Sequence, residues 1–120
     1  MEESLEELLP FLNVEMGLTY AADDEDLYIE ILQSYAYESE EDKIQEFFEA
    51  QDWVNYATLM HAVKSTSLTI GAEELSERAK EMELSAKAGD VANVQAKHAG
   101  VMAAYLELLA KLRDIVEEQE

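Results

Sequence analysis

The chain has no cysteine in its 120 residues, which excludes a disulfide framework, a zinc-thiolate centre and a thiol nucleophile, and is compatible with a reducing compartment. Basic residues are scarce. Eight Lys and Arg stand against 28 Asp and Glu, for a formal net charge of -20, so nonspecific attraction to nucleic acid or anionic lipid is unfavourable. Neither is expected as a partner. No apolar run approaches the roughly 20 residues needed to span a bilayer, and Met1-Glu2-Glu3 is acidic where an export signal is basic. The expected location is the cytoplasm. One Pro and four Gly leave little turn chemistry for a strand-rich fold.

What remains is 48% hydrophobic, enough for one core, with apolar residues recurring at threes and fours. Ser4 to Leu9 reads as a short helix before Pro10, and Asn13 to Ala22, holding Gly17, as a loop. Asp23 and Asp24 can cap a helix from about Glu25 to Ala50, interrupted by the polar stretch Glu38 to Lys43, which is either a bend or an exposed middle. Asp52 can cap a second helix with the stripe Tyr56, Leu59, Met60, Val63, Ser67 and Ile70, ending at Gly71. A third carries Leu75, Ala79, Met82 and Ala86 and stops at Gly89-Asp90. The last, about Asp90 to Glu117, buries Val91, Val94, His98, Val101, Tyr105, Leu108, Leu112 and Ile115. Short connections force neighbours antiparallel, so the expected fold is all-α. It is an up-and-down antiparallel four-helix bundle with an additional short N-terminal helix. Residues 1–120 form one domain, with 1–22 the N-terminal helix and loop and 23–118 the bundle, acting as a monomer.

Within this acidic chain, Trp53 to Ala72 has no Asp or Glu. Such a run suggests a surface kept clear of carboxylates for a negative partner. His61 lies about 200 degrees from Val63 on a helix, so it projects away from the buried stripe. Lys64 and Ser65 share its face. From His61 to Lys87 there are four cations against five acids, close to neutral. Periodicity alone leaves a lone exposed His more often solvated than functional.

The run from His61 to Leu75 adds context. It resembles the histidine-containing phosphotransfer (HPt) domain, whose motif reads roughly His-x-Leu-Lys-Gly, then Gly-Ala-x-x-Leu; His61, Lys64, Gly71, Ala72 and Leu75 match. The resemblance covers about Gly17 to Leu112, including Gly17-Leu18-Thr19-Tyr20, Leu27-Tyr28 and Gly89-Asp90. Val63 stands for the usual Leu, and Ser65 for the common Gly.

The resemblance implies that His61 accepts a phosphoryl group from a receiver-domain phospho-aspartate and passes it to another receiver, with Lys64 as charge partner. Response-regulator receiver domains, and a hybrid sensor histidine kinase, are the implied partners. Imidazole as a side-chain type titrates at about 6.5, so a ring nitrogen offers a lone pair at neutral pH without a strong base or a carboxylate clamp. No cofactor is expected in this chain, Mg2+ being supplied by the receiver. The docking surface would use Ala57, Ser65, Leu68 and Lys87, each of which has packing or solvation as its ordinary role.

Other features read structurally. His98 belongs to the buried stripe as a hydrogen-bonded core or boundary residue, and Trp53 and the six tyrosines read as packing. No Gly-rich phosphate loop and no Glu-x-x-His occur, which argues against ATP chemistry and against a di-iron bundle. The competing reading is a helical adaptor of the same fold that binds partners without being phosphorylated.

Overall fold

The computed structural model describes residues 4–118, all of whose regular elements are helices. Met1, Glu2 and Glu3, whose acidity bears on the export-signal reading, lie outside the described residues. The elements are α1 (Leu5–Leu8), α2 (Val14–Tyr20), α3 (Glu25–Tyr37), α4 (Glu41–Glu49), α5 (Trp53–Thr69), α6 (Glu73–Lys87) and α7 (Val91–Glu118). Asp24, Asp52 and Asp90 cap α3, α5 and α7 through backbone N–H groups three residues on.

Four helices close in the same way, with a left-handed residue after the last turn and a pair of hydrogen bonds folding the chain back onto freed carbonyls. Gly71 (φ 88°) and Gly89 (φ 76°) do this after α5 and α6, as the sequence predicts. Ala22 (φ 56°) and Gln51 (φ 58°) do it after α2 and α4 without glycine. At Gly71 a side chain is excluded twice. The dihedral disfavours one, and a Cβ would overlap the carbonyl oxygen of Asn13, whose N–H donates to Gly71 O at 2.8 Å.

In the first half of the chain one expectation changes and one open alternative is decided. Val14–Tyr20 is a helix rather than a loop: Asn13 caps it, and Gly17 lets it press against the ring of Tyr28, where a Cβ would collide. The polar stretch after α3 is a true break at Glu38, Ser39 and Glu40. Arg113 of α7 holds it, donating from Nε to Ala36 O at 2.9 Å and from its terminal nitrogen to Ser39 and Glu41.

Specific pairings give the helix directions. Tyr28 reaches Ile70 and Tyr35 reaches Ser67, so α3 runs against α5. Lys64 meets Ser76 while His61 meets Glu83, so α6 runs back along α5. Asn93 meets Ser85 while Lys97 meets Glu81, and α7 reverses again. Tyr28, Tyr56, Met60, Met82, Leu109 and Leu112 are fully buried between these helices. Each such apolar side chain contributes about 1.5–3 kcal/mol of transfer free energy. In α7 the buried positions after Tyr105 are Leu109, Leu112 and Val116, with Leu108 and Ile115 only partly buried. A straight helix of 3.6 residues per turn drifts off a strict 3.5-residue stripe over that length.

Candidate functional site

The α5–α6 pair builds the site. Tyr56, Met60, Val63 and Ser67 turn into the core, where Ser67 Oγ lies 2.8 Å from Tyr35 Oη. The opposite side of α5 presents His61, whose side chain is 58% exposed, in agreement with the sequence reading.

Gly71 turns the chain so that α6 lies along α5, and this brings Glu83 under the imidazole. Glu83 Oε2 is 3.0 Å from His61 Nδ1. Lys64 Nζ donates to Oε1 at 2.9 Å, and Lys87 Nζ to Oε2 at 2.7 Å. The carboxylate is almost completely buried, at 3% exposure. Burial by itself would raise its pKa; hydrogen bonds from Lys87, Lys64 and His61 outweigh that and bring it down to about 2. Glu83 is therefore ionised at neutral pH and can only accept. Nδ1 of a neutral His61 must then carry the ring proton, which puts the lone pair on Nε2.

Sequence reasoning counted Glu83 only among the acids between His61 and Lys87 and gave it no role. The signal was available in the spacing: Ser76 and Glu83, seven residues apart, lie on one face of α6, and both are buried. Ser76 Oγ donates to the Lys64 carbonyl at 2.8 Å, marking that face as the seam with α5. The carboxylate clamp that the chemistry does not strictly require is present.

The other expected site residues divide. Lys64 stands one turn from His61 but is only 27% exposed and is tied to Glu83. Lys87, expected on a docking surface, joins the same carboxylate with its side chain 60% exposed. Ser65 is exposed beside His61 and Leu68 is half-buried. Ala57 does not fit a docking role: it is 3% exposed, because it sits on the part of α5 turned into the α6 seam.

His98 is a core residue, as the sequence reading holds. It is 3% exposed, with Nδ1 2.9 Å from Tyr56 Oη and Nε2 2.8 Å from Gln45 Oε1, and its ring stacks on Phe48 at 3.7 Å. Burial lowers its pKa against the opposing pull of Glu49. Trp53 packs edge-on to Phe48 and Tyr56. Four of the six tyrosines are buried, while Tyr20 and Tyr37 are exposed. Among the described residues no three His, Asp or Glu side chains converge as a metal site, and no helix is long and apolar enough to cross a membrane.

No curated protein and no solved structure matches the chain. The family model of the Hpt domain matches residues 29–118, which include His61, Lys64, Glu83 and Lys87. That match spans α4, α5, α6 and α7 and takes in α3 from residue 29 onward, the helices that build and support the site. The chain belongs to the Hpt domain family, whose members carry phosphoryl groups on histidine in two-component phosphorelays.

Proposed function

We propose that this protein is a phosphoryl carrier in which Nε2 of His61 takes the phosphoryl group from a receiver-domain phospho-aspartate and hands it to a second receiver. The observation that carries the proposal is the pairing of an exposed ring with a buried, ionised Glu83 on Nδ1. The Nε2 lone pair attacks phosphorus in line, the N–P bond forms, and the P–O bond to the aspartate breaks with the carboxylate as leaving group. The proton on Nδ1 stays in its hydrogen bond to Glu83, which balances the positive charge the ring acquires. Lys64 and Lys87 lie one hydrogen bond from the same carboxylate and can turn toward the new phosphoryl oxygens. Phosphoryl transfer needs mainly alignment and charge neutralisation, and the receiver supplies the aspartate and Mg2+.

On this reading the helices form a single domain, an up-and-down four-helix bundle whose first leg is α3 with α4 and whose N-terminal addition is α1 with α2. It works as a monomeric cytoplasmic carrier without ATP chemistry of its own, in contact with receiver domains and a hybrid sensor kinase. Family membership does not favour the alternative of a non-phosphorylated adaptor. The test is to incubate the protein with phosphoramidate or a phosphorylated receiver and map the label. Base-stable, acid-labile phosphate at position 61, absent from His61→Gln, is expected; label that survives this substitution would refute the assignment.

A further inference from the structure

Behind α5, on the side away from His61 and Glu83, the helix meets α3, the break after it, α4 and α7 around a cavity of about 260 Å³. Its α5 wall is centred roughly 140° around the helix from His61, so it is no part of the phosphoryl site. Ile31, Ile44, Leu59, Val63 and Ile70 make its lining mainly apolar. A cavity of about 150 Å³ holds one benzene ring, so this one has room for about ten non-hydrogen atoms.

One buried hydroxyl meets this space without a bond. Tyr28, Tyr35 and Tyr56 set their hydroxyls against Ile70 O, Ser67 Oγ and His98 Nδ1 at 2.8, 2.8 and 2.9 Å. Tyr105 is as deeply placed, at 4% exposure, yet its hydroxyl has no hydrogen bond among the described residues. No side-chain oxygen or nitrogen sealed in the described core lacks a partner, so the Tyr105 oxygen is not sealed; it opens into the cavity that the residue lines. Phenylalanine would give the core the same ring with no polar atom to satisfy. Burial, then the charges of Glu41 and Glu40 against that of Arg113, push the Tyr105 pKa up to about 12. The hydroxyl therefore keeps its proton at neutral pH and can both donate and accept.

The exposed rim is negative. Glu38 and Glu40 line it, no Lys, Arg or His does, and Glu38 has no ion pair among the described residues. Glu40 has only the exposed Lys43 at 3.8 Å, whereas Glu41 is held by Ser39 and Arg113. We propose that this cavity binds a small organic cation, an apolar body of about ten non-hydrogen atoms bearing one ammonium group. The body lies on the aliphatic lining, and the ammonium is held at the rim by Glu38 and Glu40 with a hydrogen bond to the Tyr105 hydroxyl. A neutral molecule leaves the rim unmatched, and an anion is repelled.

The probe is 2-phenylethylamine, which is close to that size, titrated into the full chain at neutral pH and followed by proton–nitrogen correlation spectra. It should saturate at one per chain with a dissociation constant of about 1 mM or below, shifting the amides of Ile31, Ala62 and Thr66. The neutral 2-phenylethanol should bind about three- to fivefold more weakly, phenylacetate not measurably, and ammonium chloride should leave those amides unmoved. Tyr105→Phe should weaken the amine about three- to tenfold without lowering the thermal midpoint, since the fold loses no bond. The double variant Glu38→Gln with Glu40→Gln should bind amine and alcohol equally. Shifts that never saturate, or that spread over the acidic surface, would overturn the proposal. So would Tyr105→Phe that binds the amine as tightly as the parent, or that unfolds at a lower temperature, since the hydroxyl would then serve the fold.

Discussion

The two histidines are bound through the same ring nitrogen and end in opposite states. His61 Nδ1 faces a carboxylate, which can only accept, so it must donate; His98 Nδ1 faces Tyr56 Oη, while its Nε2 is in reach of the Gln45 carbonyl oxygen, which also only accepts. The proton therefore sits on Nδ1 in His61 and on Nε2 in His98. The second nitrogen completes the contrast. In His61 it is left to solvent on a ring 58% exposed, and in His98 it is bonded inside a ring 3% exposed and stacked on Phe48. Residue type decides little here; a nucleophile requires one nitrogen anchored and the other unoccupied and open to approach.

The sharpest way to break this contrast is to exchange the residues one at a time. His61→Gln should abolish labelling, whereas His98→Gln, if folded, should be labelled at the parent rate. Loss of labelling in folded His98→Gln would mean that the buried ring takes part.

Glu83→Gln comes next in size. An amide can present its NH2 group to Nδ1 and thereby favour the wrong tautomer, and it loses the charge that balances the phosphorylated ring. A charge-assisted hydrogen bond is worth about 1.5–3 kcal/mol, so transfer should slow by about ten- to a hundredfold while the helical content stays unchanged. An unaltered rate would reduce Glu83 to a structural ion-pair residue.

Lys64→Ala should slow transfer by only a few-fold, because Lys87 still reaches the same carboxylate. Its stability cost should exceed the 0.5 kcal/mol or so of an ordinary surface change, because Lys64 is a partner of a buried carboxylate. Comparing thermal midpoints with transfer rates separates the two effects.

Acid titration gives the smallest effects and distinguishes the sites by pH. The pKa of His98 is lower in the folded protein than the ordinary 6.5, so its stabilising contribution is complete above that value and is lost as pH falls below it. Glu83, at about 2 against an ordinary 4.5, keeps its contribution above 4.5 and loses it as pH falls toward 2. Midpoints should therefore decline first as pH falls below about 6.5, with a shallower slope in His98→Gln, and again below about pH 4.5, with a shallower slope in Glu83→Gln. Interchanged slopes would contradict the assignment of the two windows.

Much of this was legible in the sequence because local chemistry wrote it there. Asp52, Gly71 and Gly89 mark helix ends through capping and left-handed backbone, and the outward position of His61 follows from helical angle alone. The misses share a different cause. Gly17 reads as a loop residue in isolation, and only the ring of Tyr28 against it shows why a helix there needs glycine. The closures at Ala22 and Gln51 use a conformation that glycine usually advertises. The choice between a bend and an exposed middle after α3 stayed open because the segment is tied to Arg113, more than seventy residues away. Glu83 was overlooked because an acid within an acidic chain resembles solvated surface until the register of α6 on α5 is known, and Ala57 was misplaced for want of the same register.

The central claim is that Glu83 fixes the proton on Nδ1 of His61 and so assigns phosphoryl transfer to Nε2. Long-range proton–nitrogen correlation spectra of the 15N-labelled protein, recorded at about pH 8 before and after phosphoramidate treatment, test it directly. The account predicts a neutral His61 with its proton on Nδ1, then a phosphoryl group on Nε2 of that ring alone, with His98 unchanged throughout. A His61 protonated on Nε2 before treatment, or phosphate on its Nδ1 or on His98 afterwards, would contradict it.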